Sequence, residues 1–245
     1  PTCPSNELTL TPRQRIVINR EISRLESIGN VKEAKEYKDL YQYDGIETCA
    51  TCSLCSTACP VKIDTGNLTK HLRAEQLTSK DKAIANYVAN NFSTTLTGIR
   101  FGLHSSNFIH KVLGTSKMES FTKTLRTISK NKTPKWSPTM PKAISINLNF
   151  EQKDSDKKIV YFPSCINRTM GLNSISKEDK ELFDITVELL QKAGYQIILP
   201  QNLSNLCCGM PFSSKGFNEA SNTKSSQLEE ALLNASEFGT YSILC

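Results

Sequence analysis

At 245 residues, 38% of them hydrophobic, the chain is long enough to bury real cores in one or two compact domains. It contains no run of eighteen or more apolar residues, which argues against a membrane-spanning helix. Its nine cysteines are odd in number, cluster at metal-ligand spacing and follow no signal peptide, which argues against a secreted disulfide scaffold and for a reducing cytoplasm.

The net charge of +6 is unevenly spread. Residues 1–75 balance ten basic against ten acidic side chains, residues 76–150 carry eleven against two, and residues 151–245 nine against twelve. The basic excess therefore falls in one middle segment. It has two readings: a solvated helix face, or a surface that meets anionic lipid headgroups. No recognised motif accompanies the basic residues, so nucleic acid is not a partner on this reading.

The first feature in chain order, Cys3-Pro4, takes its meaning from a later one. Cys49, Cys52, Cys55 and Cys59 follow the spacing C-x2-C-x2-C-x3-C, closed by Pro60. That run is the cysteine frame of a cubane 4Fe-4S cluster, and its fourth cysteine ligates the other cluster in two-cluster proteins. Cys3-Pro4 reads as the tail of a second such run whose first three cysteines lie upstream. The crossed rule then places Cys3, Cys49, Cys52 and Cys55 on one cluster and Cys59 on another. On this reading the sequence is a fragment that begins inside a motif. Zinc is the competing reading, since C-x2-C units also bind it, and Cys3 alone can be read as a free thiol near a frayed end.

Thr11-Pro12-Arg13-Gln14 predicts a helix start: an N-cap threonine, proline at the first position and glutamine three residues on. Ile18, Ile22 and Leu25 recur at helical spacing, with Arg15, Arg20 and Arg24 assigned to polar positions. Residues 31–41 and 66–77 read as further helices. Residues 80–130 continue as helices interrupted near Gly98, Gly102 and Gly114. Phe101, Leu103, Phe108, Ile109, Val112 and Leu113 supply apolar surface there. A basic run follows (Lys123, Arg126, Lys130, Lys132, Lys135), and Pro134, Pro138 and Pro141 end the helical region. Ile144, Ile146, Leu148 and Phe150 alternate as an extended segment, and Glu151 to Lys158 reads as a linker.

From Ile159 the pattern changes. Ile159-Val160-Tyr161-Phe162 predicts a buried strand. Leu182 to Ala193 predicts a helix with Leu182, Ile185, Leu189 and Leu190 on its apolar side. Residues 196–199 and 241–244 predict two more strands around a helix at 225–238. Strands alternating with helices imply a small α/β domain with a largely parallel sheet. Cys165, Cys207, Cys208 and Cys245 fall at or beyond the ends of those strands, where such sheets place their sites. They read as a second metal-binding set, against the alternative of buried small hydrophobes.

Cys165, then Cys207-Cys208-Gly209-Met210-Pro211, then Cys245 resembles the cysteine-rich CCG domain of heterodisulfide reductases and related electron-transfer subunits. In that family a further cysteine follows. Cys3-Pro4-Ser5, the stretch Leu8-Thr9-Leu10-Thr11-Pro12-Arg13-Gln14-Arg15, and Cys49 through Cys59-Pro60-Val61-Lys62-Ile63-Asp64-Thr65-Gly66 are similar to the iron–sulfur region of FAD-linked D-lactate and D-2-hydroxyacid dehydrogenases. The resemblance implies an α + α/β fold: a helical ferredoxin-like domain at residues 1–78, a basic helical segment and linker at 79–157, and a CCG-type α/β domain at 158–245. It implies an oxidoreductase in which an upstream flavin domain holds FAD. This part would carry electrons to a quinone or cytochrome-type acceptor, in the cytoplasm or peripherally on the cytoplasmic face of the inner membrane. The fragment itself holds no catalytic residue on this reading. Two alternatives stay open: an iron–sulfur subunit of a glycerol-3-phosphate, glycolate or heterodisulfide-type complex, and a non-redox zinc-stabilised interaction module.

Overall fold

The structure is a computed structural model that describes residues 3–5, 9–129, 133, 136–144, 146–148, 150–151, 154–173 and 175–245. Leu8 of the N-terminal motif and Lys130, Lys132, Pro134 and Lys135 of the basic stretch lie outside the described residues. Two compact units form, each from two stretches of chain: Pro1–Tyr87 with Gly209–Thr223, and Val88–Cys208 with Lys224–Cys245.

The first unit is helical. α1 (Pro12–Ser27) begins with the capping box read from the sequence: the Thr11 side chain accepts from the Gln14 N–H while the Gln14 side chain accepts from the Thr11 N–H. α2 (Val31–Tyr41) packs against α1 and runs into a π-helical turn, Gln42–Glu47. α3 (Leu54–Ala58) carries part of the cysteine run, and α4 (Thr65–Glu75) follows, capped by Asp64. Ile22, Tyr41 and Ile46 form the core, with Leu10, Ile18 and Leu72 packed around them.

α5 (Ser79–Asn90) leads to α6 (Phe92–Leu113) and α7 (Thr115–Ile128). Gly98 and Gly102 do not interrupt α6, contrary to the sequence reading. A Cβ at either would meet open space, and an isolated glycine lowers helix stability without breaking the hydrogen-bond ladder. Gly114 does break it, at φ +75.

The second unit holds the sheet. β2 (Lys158–Tyr161) is central between β4 (Gln196–Ile198) and β5 (Ser242–Leu244), and both pairings are parallel, as the strand–helix alternation predicts. A separate antiparallel pair, β1 (Pro141–Ala143) with β3 (Met170–Asn173), is absent from the sequence reading. The alternating segment at Ile144–Phe150 forms no strand among its described residues. Ile146 and Phe150 instead pack onto the sheet's core from irregular chain, which satisfies their apolar pattern without a ladder.

α8 (Leu182–Lys192) buries Phe183, Val187 and Leu190, while Leu182, Ile185 and Leu189 face solvent. The helix carries two apolar stripes, and only packing selects one: Phe183 stacks on Tyr161 of β2, ring centroids 5.8 Å apart. A short 3-10 turn (Leu203–Asn205), α9 (Met210–Ser213) and α10 (Asn218–Ala235) complete the chain before β5. Among the described residues no helix is long and apolar enough to cross a membrane.

Candidate functional site

The cysteine run begins just past the π-helical turn. Thr51 (φ +50) and Ser53 (φ +59) both adopt left-handed backbone between its first three cysteines, and Lys62 (φ +57) does so beyond the fourth. Such conformations are rare for non-glycine residues and persist where the surroundings impose them. One constraint is visible at Gly66, where an added Cβ would lie 3.3 Å from the Thr51 Cα and 2.9 Å from Asp64 Oδ1. Asp64 fixes the same junction by accepting from the N–H groups of Gly66 (2.7 Å) and Asn67 (3.3 Å).

Two buried arginines hold the loops from beneath. Arg15, assigned to a polar position of α1 in the sequence reading, is only 1% exposed. It donates to the Gly45 carbonyl (2.8 Å), the Ser5 hydroxyl (2.9 Å), the Thr48 hydroxyl (3.1 Å) and the Cys3 sulfur (3.8 Å). One guanidinium thus ties the Cys3–Ser5 turn to the residue preceding Cys49. The signal was present: Arg15, Ile18, Ile22 and Leu25 share one helical stripe. Arg73 of α4 donates to the carbonyls of Ile46 (2.6 Å), Cys49 (2.9 Å) and Glu47 (3.3 Å), and also to that of Ser214.

The sulfurs themselves meet hydrogen-bonding groups. The Thr51 N–H donates to Cys49 Sγ at 3.4 Å. Cys55 Sγ lies 3.1 Å from the Thr65 hydroxyl and donates to Asp64 Oδ1 at 3.8 Å. Cys3 Sγ lies 3.3 Å from the Ser5 hydroxyl. Burial raises the Cys3 thiol, but the Ser5 and Arg15 hydrogen bonds outweigh it and hold the pKa below the ordinary value. Cys59 is held low by the backbone N–H groups of Ile63 and then Val61. Cys52 is exposed.

Thr51 Oγ1, between Cys49 and Cys52, is buried without a hydrogen-bond partner. An orphaned buried hydroxyl inside a run of cysteines fits a bound group that accepts hydrogen bonds. A thiolate-held iron–sulfur cluster is such a group. Among the described residues no three His, Cys, Asp or Glu side chains converge in metal-holding geometry. The fit rests on donor chemistry and loop shape.

The second cysteine set lies along the carboxyl ends of the sheet's strands, where Cys165 meets Cys207 and Cys245 feels Cys208, without three of them converging. Cys165 lies in the turn after β2, Cys207 and Cys208 beyond β4, and Cys245 directly after β5. Cys207 is wholly buried and hydrogen-bonds the Cys165 thiol. That bond, working against burial and helped by the Arg168 charge, brings Cys165 down to about 6. Arg168 is buried beneath the set. It donates through Nε to the Pro163 carbonyl (3.0 Å), through Nη2 to Leu206 (2.7 Å) and through Nη1 to Leu203. Its guanidinium carbon lies 5.7 Å from the Phe162 ring centroid. Lys224 is also fully buried, 5.2 Å from the Phe92 ring centroid, with Nζ donating to Gln227 Oε1 at 2.7 Å. Burial lowers its pKa against the opposing influence of Cys207. Cys208 and Cys245 are exposed, and Cys245 is pushed up by burial and then by the charge of Cys208. Neither Arg168 nor Lys224 was singled out from the sequence, where nothing distinguishes them from surface cations.

Residues 1–64 match the family of 4Fe-4S dicluster domains. The match takes in Cys3, Cys49, Cys52, Cys55 and Cys59 and ends before the second set. No curated protein and no solved structure matches the chain. The N-terminal part is accordingly an iron–sulfur electron-transfer domain of helical, ferredoxin type, of the kind found in oxidoreductases.

Proposed function

We propose that the chain is the electron-transfer portion of a flavin-linked D-lactate or related D-2-hydroxyacid dehydrogenase. On this reading it takes electrons from a flavin domain that holds FAD and delivers them to a quinone or cytochrome-type acceptor. The observation that carries the reading is the ordered set Cys3, Cys49, Cys52, Cys55 and Cys59, placed over two buried guanidinium groups and ringed by donors to sulfur. A 4Fe-4S cluster bound there supplies one-electron transfer at a potential set by charge, burial and hydrogen bonds to sulfur.

The chain's own residues have definite parts in this. Cys3, Cys49, Cys52 and Cys55 would hold one cluster, and Cys59 would serve a second. Arg15 keeps the Cys3–Ser5 turn against the Thr48 end of the run. The Thr51 N–H donates to Cys49 Sγ, and the Thr65 and Ser5 hydroxyls lie within hydrogen-bond distance of Cys55 and Cys3, so each is placed to tune a bound cluster. Cys165, Cys207, Cys208 and Cys245 form a further candidate ligand set in the sheet-bearing unit. The similarity to the CCG pattern and their position at the carboxyl ends of parallel strands support that assignment.

Iron, zinc and acid-labile sulfide per chain, measured after anaerobic purification, test the metal. About four irons and four sulfides, with an EPR signal from the dithionite-reduced protein, support one cluster. A clearly higher count extends the assignment to the second set. Stoichiometric zinc without sulfide overturns the electron-transfer reading and leaves a zinc-stabilised module. The substrate is tested by adding D-lactate, glycolate or glycerol-3-phosphate to the protein together with its flavin domain and reading the same EPR signal. Reduction by glycerol-3-phosphate alone overturns the D-2-hydroxyacid assignment.

A further inference from the structure

The α6–α7 pair carries large apolar side chains that the fold leaves in water. Phe101, Phe108 and Val112 are spaced by seven and four residues, which places them on one side of α6. They are 74%, 65% and 68% exposed. The buried residues of the helix, Phe92 and Leu96, fall on the opposite side. On α7, Phe121, Leu125 and Ile128 repeat at four and three residues and form a second exposed stripe, with Ile128 also at 74%. The α6 stripe lies opposite the buried side of its helix, whereas the α7 stripe borders the buried Met118, three residues before Phe121.

Charge is arranged around these stripes. The two helices hold five basic residues and one acidic one. Lys111 adjoins Val112, and Lys117 lies one turn before Phe121 on the same stripe. The single acidic residue, Glu119, falls on the far side of α7. The joint between the helices is pinned: Gly114 turns the chain at φ +75, His110 Nε2 lies 3.1 Å from the Thr115 hydroxyl, and the His110 ring packs 4.5 Å from that of Trp136.

Aromatic and aliphatic stripes flanked by lysines can face either a protein or a lipid surface. Protein interfaces are depleted in lysine at their centres. Anionic headgroups attract it, and an amphipathic helix too polar to span a bilayer lies in the headgroup region with its apolar face down. We propose that α6 and α7 are interfacial helices that dock the protein on an anionic lipid surface, with Phe101, Phe108, Val112 and Ile128 entering the acyl boundary and Lys111 and Lys117 meeting phosphates. Lys123 and Arg126, on the far side of α7, add to the positive field within a Debye length. The inference stands independently of what the cysteines bind.

Flotation of the full chain with vesicles of phosphatidylcholine alone, or of phosphatidylcholine with phosphatidylglycerol, tests it. The expected result is binding at least tenfold tighter to the anionic vesicles, weakened by added salt. The double variant Phe108→Ser/Val112→Ser is expected to lose tenfold or more on anionic vesicles. Lys111→Gln and Lys117→Gln are expected to lose roughly fivefold each. All four positions are exposed, so an unchanged circular dichroism spectrum certifies the fold. Equal binding to both lipids, no binding at all, or variants that bind like the parent would overturn the proposal. So would a stable dimer in light scattering that Phe108→Ser/Val112→Ser dissolves, since the stripe would then belong to a second copy of the chain.

Discussion

In the N-terminal set, Cys49, Cys52, Cys55 and Cys59 come from eleven consecutive residues. Cys165, Cys207 and Cys245 instead stand at three separate places, after β2, beyond β4 and after β5, and of these Cys165 and Cys207 meet. Both sets nevertheless rest on buried arginines that donate to main-chain carbonyls: Arg15 and Arg73 in one, Arg168 in the other. The shared device makes physical sense. A guanidinium offers five donors in a rigid fork, so it can pin several loop carbonyls at once and leave its positive charge under the thiols. The sets differ in how sulfur is treated. The first surrounds its sulfurs with hydroxyls and a backbone N–H, whereas the second pairs Cys165 with a sulfur kept entirely out of water.

The largest expected effect comes from breaking the second set's support. Arg168→Met removes donors to three carbonyls and leaves them buried, and is expected to cost about 3–5 kcal/mol in urea denaturation. A loss below about 1 kcal/mol would end the parallel between the two sets. Arg15→Met tests the same device in the first set. Part of its hydrogen bonding is to hydroxyls that can re-pair, so a smaller loss of about 2–3 kcal/mol is expected. The metal-binding stoichiometry of this variant should fall as well, because Cys3 loses its tie to Thr48.

Gly216→Ala probes how the segment 209–223 is held in the N-terminal unit. Gly216 has φ +87, and an added Cβ would stand 2.6 Å from the Ala74 nitrogen of α4. A loss of about 2 kcal/mol is expected, read as a lowered urea midpoint with unchanged slope. The smallest effect is the most diagnostic. Thr51→Val replaces an orphaned buried hydroxyl by an isostere, so in metal-free protein it should be neutral or stabilising by up to about 1 kcal/mol. A shift in the cluster's reduction potential in the loaded protein, with no loss of apoprotein stability, would show that the hydroxyl serves the bound group.

The sequence alone announced the iron–sulfur character of the N-terminal part, because the cysteines of one short run are neighbours in the chain whatever the fold around them. It also determined the start of α1, since a capping box is a contact between residues three apart. The parallel sheet followed from strand–helix alternation in the same local way. Only the tertiary structure decided which of α8's apolar stripes is buried, because Phe183 and Leu182 are equivalent until Tyr161 presents a ring to one of them. Only it turned Arg15, Arg168 and Lys224 from surface cations into buried ones. Their partners are carbonyls and rings contributed by distant segments, and a carbonyl has no residue type by which a sequence could announce it. The pairing of Cys165 with Cys207 belongs to the same class. Forty-two positions separate them in the chain, and the sheet's parallel topology returns them to one edge.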